Sequence, residues 1–174
     1  MEEKAIQESI QVRYSTEFIK NNLFGDIVMV EVGLDYGTHA KELLDNIPNI
    51  LKLYLVDMYW GLDTEVMIER FKIAKESVSK YEDKITFCIG DSVNKSKEFA
   101  NEMFDVVYID SDHSYEGVMR ELIAYYPKCK KGGIFCGHDY GSQKDDEVKK
   151  AVNDFFTDRL DKLIIKYPEW IIIK

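Results

Sequence analysis

From about residue 27 to near the end of the chain, short apolar runs alternate with stretches whose apolar residues recur every three to four positions. The first run is IVMVEV, Ile27 to Val32. It is almost continuously apolar, as a strand covered on both faces must be. Glycine-bearing GLDYGT follows, and then Ala40, Leu43, Leu44 and Ile47 fall at helical spacing. LKLYLVD, ending at Asp57, reads as a second strand, and Met67, Phe71, Ala74, Val78 and Tyr81 mark the helix after it. KITFCIG, ending at Gly90, is a third strand, and Phe99 with Met103 predicts a short helix behind it. FDVVYID is the fourth, followed by a helix on Val118, Met119, Leu122, Ile123 and Tyr126. GGIFCGHDY is the fifth strand with its exit, and Val148, Ala151, Val152, Phe155 and Phe156 form the clearest amphipathic stripe. This alternation predicts an α/β fold on a parallel sheet.

The two ends depart from the alternation. KLIIKY and EWIIIK are β-rich runs joined by a short proline-containing turn. So short a link forbids a parallel crossover and predicts an antiparallel hairpin closing the sheet. Residues 1–24 read as a helical lead-in with Ile6, Ile10, Phe18 and Leu23 apolar. The lead-in is expected to cap the site or to form an interface, which leaves a homodimer open.

The 174 residues suit a single domain, 1–174, with the core in 25–174. A formal net charge of −9 disfavours nucleic acid, whose phosphates demand a basic face, and favours a small-molecule partner. No apolar run approaches the roughly 18 residues of a membrane span, so no membrane partner is expected. The acidic start MEEKAIQESI does not read as a signal peptide. The three cysteines lack metal-ligand spacing, and Cys88 and Cys136 sit inside apolar runs. Buried thiols of this kind point to a reducing, cytoplasmic setting.

Candidate chemistry gathers at the strand ends, where α/β sheets bind ligands. After the first strand stand Glu31, Gly33, Gly37 and Thr38. Gly33 permits a tight turn and Gly37 a close approach of backbone to ligand. The helix beginning there offers free N–H groups to an anion, and Glu31 offers a carboxylate to an ammonium. Alternatively, the segment is a plain helix entry capped by Thr38. Asp57 ends the second strand, where a carboxylate can accept from both hydroxyls of a ribose. Gly90-Asp91-Ser92 ends the third, with an acceptor for an exocyclic amine and a hydroxyl for a ring nitrogen. Asp110 ends the fourth. Each fits an ordinary turn taken singly; together they predict one polar site.

With these residues in hand, the chain resembles the class I S-adenosylmethionine-dependent methyltransferases from about Ile27 onward. Glu31-x-Gly33-x-x-x-Gly37-Thr38 is similar to the cofactor loop of the O-methyltransferase branch, with Asp35 where many relatives carry a middle glycine. More narrowly, Ile109-Asp110-x-Asp112-His113-Ser114-Tyr115-Glu116-Gly117-Val118, Gly132-Gly133, His138-Asp139-Tyr140 and Val148-Lys149-x-Ala151-Val152 resemble the bacterial methyltransferase domain 24 group, related to catechol-type and macrocin-type O-methyltransferases. The resemblance implies a three-layer Rossmann-like sandwich, its seven-stranded, mostly parallel sheet ordered 3-2-1-4-5-7-6 with the last strand antiparallel. It implies S-adenosylmethionine held by Glu31, Gly33, Gly37, Thr38, Asp57, Met58, Gly90, Asp91, Ser92 and Asp110, with Met58, Tyr59 and Trp60 walling the adenine. His39 is expected as a structural residue or cofactor neighbour.

Methyl transfer requires an aligned acceptor that loses its proton. Metal-dependent relatives carry an aspartate at the end of strand four and an acidic or amide pair at the end of strand five. Here those places hold Asp110 and His138-Asp139, implying a divalent cation such as Mg²⁺, although the histidine also suits Mn²⁺, Fe²⁺ or Zn²⁺. The catechol-type catalytic lysine falls at His113, which becomes the expected general base, with Asp110 and His138 completing the catalytic set. Otherwise Asp112 or Ser114 caps the next helix and His113 packs against the sheet. The expected activity is methylation of a small-molecule acceptor, at oxygen. The alternatives are a non-catalytic cofactor-binding protein, a metal-dependent hydroxylase and a nicotinamide-dependent oxidoreductase, the last disfavoured by the missing GxGxxG and by the terminal hairpin.

Overall fold

A computed structural model describes residues 12–58, 64–141 and 146–174. Seven strands form one sheet: β1 Ile27–Val32, β2 Ile50–Asp57, β3 Ile85–Ile89, β4 Phe104–Ile109, β5 Cys129–Gly137, β6 Ile164–Lys166 and β7 Glu169–Ile173. Their order is β3-β2-β1-β4-β5-β7-β6. The first five run parallel, and β7 is antiparallel to both β5 and β6. The expected sheet and its terminal hairpin are therefore both present.

Alternation along the strands decides which helices cover which face. Met29, Leu53, Leu55, Val106 and Tyr108 pack with α1 Tyr14–Asn22, α2 Thr38–Asn46 and α3 Thr64–Ser77. Val30, Val32, Val107, Phe135 and Trp170 pack on the other side with α5 Tyr115–Tyr125 and α6 Glu147–Phe155. Both faces are buried, which is why the central strands are apolar without a polar alternate. Ala151, Val152 and Phe156 in the C-terminal stripe are buried, as their spacing predicts. Cys88, Cys129 and Cys136 are all buried and free.

Two expectations shift. The short helix after β3 is α4, Ser92–Ser96, and ends before Phe99 and Met103. Asp91 caps it by accepting from the Asn94 N–H, which starts the helix early. Phe99 is still buried, and Glu102 turns the chain at a positive φ of 54°. The fifth strand begins at Cys129 rather than at the glycine pair.

Within the lead-in, Ile6 and Ile10 lie outside the described residues. Phe18 and Leu23 pack on the core, and polar bonds hold the segment down. Buried Ser15 donates from its amide to Glu169 on β7 at 3.0 Å, and its hydroxyl bonds the same carboxylate. Thr16 donates to Glu42 on α2 at 2.7 Å. Among the described residues no helix is long and apolar enough to cross a membrane.

Candidate active site

Register carries the strand ends to one level. Val32 pairs with both Val56 and Ile109, Asp57 with Ile89, and Ile109 with Gly137. The ladder runs one residue past the strands. Gly33 donates to Val56, Gly90 to Asp57, Asp110 to Val32 and His138 to Ile109, at 2.7–3.1 Å. Each loop thus leaves the sheet from a pinned residue, and between the loops lies a cavity of about 1050 Å³. Glu31, Gly33, Thr38, Asp57, Met58, Gly90, Asp91, Ser92 and Asp110 all line it, as do His39 and His113. Tyr59 and Trp60 lie outside the described residues.

Gly37 is the exception. Its φ of 74° puts it at the N-cap of α2, displacing Thr38 from that role. The backbone it brings close is α3: a Cβ there would meet Ser77 Oγ at 2.5 Å and the Ala74 carbonyl at 3.1 Å. Gly33 does stand at a crossing, because its Cβ would lie 2.0 Å from the Asp110 carbonyl oxygen. Asp35, at the place of the usual middle glycine, adopts a φ of 47°. Aspartate tolerates this left-handed conformation better than most residues. Its carboxylate pairs with Arg70 at 2.7 Å, and the Arg70 guanidinium also covers the Tyr36 ring.

Asp57 Oδ2 accepts from the amides of Leu34 and Asp35 at 2.8 and 3.1 Å, so the second strand end fixes the first loop. Glu31 is fully buried, with His39 Nδ1 at 2.8 Å from Oε1. Burial pushes the Glu31 carboxyl up to about 8 and the His39 imidazole down to about 3, so the pair is neutral over most of the range between. Glu31 Oε2 and His39 Nε2 have no hydrogen-bond partner among the described residues. Ser92 Oγ donates to Glu121 Oε1 at 2.6 Å, and Ser111 Oγ bonds the same oxygen. Burial pushes Glu121 up to about 7, and its Oε2 is likewise unpartnered.

At the β4 and β5 exits, Asp110 is held by the guanidinium of Arg13, whose Nη1 lies 3.1 Å from Oδ2. Desolvation nevertheless raises the Asp110 carboxyl above its ordinary value. His113 Nε2 stands 3.0 Å from Asp139 Oδ2 and 3.9 Å from Asp110 Oδ1. Ser114 caps α5, as one of the alternatives required, with Asp112 Oδ1 accepting from its amide. His113, however, is 41% exposed and lines the cavity instead of packing on the sheet. One oxygen each of Asp110 and Asp139 and one nitrogen of His113 lie within 4.8 Å of one another, a spacing that suits a cation. His138 is outside that trio. Its Nδ1 stands 3.4 Å from Asp139 and 3.9 Å from Asp110, one step behind. Asp139 takes a left-handed φ of 57°.

Sequence reasoning passed over Arg13, Arg70, Arg120 and Glu121, all in the cavity wall. Glu121 left a signal. It falls three residues after Val118 and four before Tyr125, on the buried stripe of its helix, where a charge needs a reason. Arg13 left none.

A family model described as a methyltransferase domain matches residues 30–140. No curated protein matches the chain by sequence. Several solved structures are similar in fold. The O-methyltransferase NovP superposes with a TM-score of 0.66 at 19% identity, covering 91% of this chain and 76% of that one. A Staphylococcus aureus protein provisionally described as a caffeoyl-CoA O-methyltransferase gives 0.65 at 16%, covering 92% and 80%. A Clostridium thermocellum protein provisionally described as an rRNA-methylase gives 0.66 at 16%, covering 90% and 92%.

Proposed function

The chain belongs to the methyltransferase-domain family, and from that premise we propose that it is an S-adenosylmethionine-dependent methyltransferase acting on the oxygen of a small molecule. The observation that carries this reading is a shared cavity lined by Glu31, Asp57, Asp91, Ser92 and Asp110 at one level of the sheet. The unpartnered oxygens of Glu31 and Glu121 in its wall suit a ligand rich in N–H donors, as an amino acid joined to adenosine is. In this reading Glu31 receives the ammonium, Asp57 the ribose hydroxyls, and Asp91 with Ser92 the adenine, beside Met58. The formal net charge of −9 argues against a polyanionic acceptor, so the rRNA-methylase likeness is read as one of fold.

When bound, the cofactor would supply an electrophilic methyl on a sulfonium, with the thioether as leaving group. The protein's task is to align that oxygen and remove its proton. His113 is the proposed base: it lines the cavity, and Asp139 Oδ2 at 3.0 Å from its Nε2 orients the ring. A second reading rests on the Asp110, His113 and Asp139 trio, which would hold a divalent cation to lower the acidity barrier of the acceptor hydroxyl.

Mass spectrometry of ligand bound to the purified protein, with calorimetry against S-adenosylhomocysteine and NAD, tests the cofactor. S-adenosylhomocysteine is expected to bind and NAD not to. The reverse result overturns the proposal in favour of an oxidoreductase.

A further inference from the structure

We propose that Arg13 holds the carboxylate of the cofactor's amino-acid end, an inference that rests on the cofactor reading above. An α-amino acid presents an ammonium and a carboxylate a few ångströms apart, so its site needs an acid and a base side by side. Glu31 and Asp110 supply acids at this end of the cavity. Three arginines line the wall: Arg70 is tied to Asp35 over Tyr36, Arg120 stands on α5 next to Glu121 in sequence, and Arg13 is paired with Asp110. Arg13 therefore stands at the Asp110 corner of a cavity that Glu31, Gly33 and Thr38 also line.

Its guanidinium is half committed. Nη1 donates to Tyr108 Oη at 2.7 Å and to Asp110 Oδ2 at 3.1 Å. Among the described residues Nε and Nη2 make no hydrogen bond, and the side chain is 29% exposed. A planar fork anchored through one nitrogen leaves its other donors fixed in direction, which suits a carboxylate. The anchor is rigid. The Arg13 amide donates to Glu42 at 2.9 Å, and Ser15 and Thr16, two and three residues on, are bonded to Glu169 and Glu42. The start of α2 at Thr38 adds its unpaired N–H groups and positive dipole end to the same corner. The lead-in therefore contributes a ligand-binding group as well as covering the sheet.

The test compares two ligands on one protein: S-adenosylhomocysteine and its decarboxylated analogue, which keeps the adenosine and the ammonium. Wild-type protein is expected to prefer the carboxylate-bearing ligand. Arg13→Gln should weaken S-adenosylhomocysteine about ten- to a hundredfold while leaving the analogue within a factor of two or so, and Arg13→Lys should recover part of the loss. Any general loosening of the lead-in would weaken both ligands alike, so the ratio of affinities isolates the carboxylate. Equal losses for both, or no loss for either, overturns this inference and leaves the cofactor reading standing. Wild-type protein that binds neither ligand removes the cofactor reading and this inference with it.

Discussion

Removing the Asp57 carboxylate strips acceptors from two partners at once: the amides of Leu34 and Asp35, and the ribose hydroxyls proposed for the same cavity. Hydrogen bonds to a charged acceptor contribute on the order of 1.5–3 kcal/mol. Asp57→Ala should weaken S-adenosylhomocysteine by roughly ten- to a hundredfold and lower the melting temperature as the loop is released. Unchanged affinity by calorimetry in the folded variant sinks the ribose assignment. His113→Ala separates three roles. If the imidazole is the base, turnover falls by about 10²–10⁴-fold with cofactor affinity near wild type and activity indifferent to EDTA. If it is a cation ligand, EDTA alone abolishes turnover in the wild type. A packing residue would instead lower the melting temperature with little loss of turnover, which its exposure makes unexpected. These residues were legible because strand ends in a parallel sheet are marked by where the apolar run stops. Arg13 was not, since nothing local distinguishes it from a solvated surface arginine. It becomes a site residue only when the lead-in folds back across β4.

At the scale of elements, the β1–β4 junction is a tight backbone crossing in the site. A Cβ at Gly33 would sit 2.0 Å from the Asp110 carbonyl oxygen, and the φ of 96° is strained for any other residue. Gly33→Ala is expected to cost roughly 2–6 kcal/mol, from overpacking and backbone strain together. Gly25→Ala, with nothing within 4 Å of its Cβ, is the near-neutral control. Chemical denaturation of the pair measures the difference, and equal midpoints would refute the account of the crossing. Gly37 was legible as a constrained position, but its partner was not: sequence gives the need for a small residue, whereas only the packing of α3 says against what. The same holds for α4, whose position followed the Asp91 cap more than the apolar spacing of Phe99 and Met103. The long runs β1, β2 and β4, by contrast, needed no tertiary information, because a strand buried on both faces is written in consecutive apolar residues.

For the whole molecule, a cavity walled by buried acids ties folding to pH. Folding raises Glu31 from 4.5 to about 8 and Glu121 from 4.5 to about 7, and it depresses His39 from 6.5 to about 3, in each case chiefly by desolvation. Between about pH 5 and 6.5 the unfolded chain holds one proton on these three groups, on the histidine, while the folded protein holds two, on the carboxyls. Between 6.5 and 7 the unfolded chain holds none. The folded state thus binds more protons throughout, and stability must fall as pH rises from 5 to 8, by roughly 1.4 kcal/mol per pH unit for each excess proton. Below 4.5 the sign reverses, because the unfolded chain then takes up both carboxyl protons and keeps the one on histidine. Melting temperature measured across pH 5–8 should decline, and Glu121→Gln should flatten the segment below pH 7. A ligand ammonium at Glu31 favours the carboxylate and so opposes this trend. S-adenosylhomocysteine should therefore bind with release of a proton below pH 8, and the stabilisation it gives should grow from pH 6 to 8. Calorimetry in buffers of different ionisation enthalpy reads that proton directly. Its absence, in a protein that binds the ligand, would mean that the ammonium is received elsewhere and that Glu31 and His39 remain a closed, neutral pair.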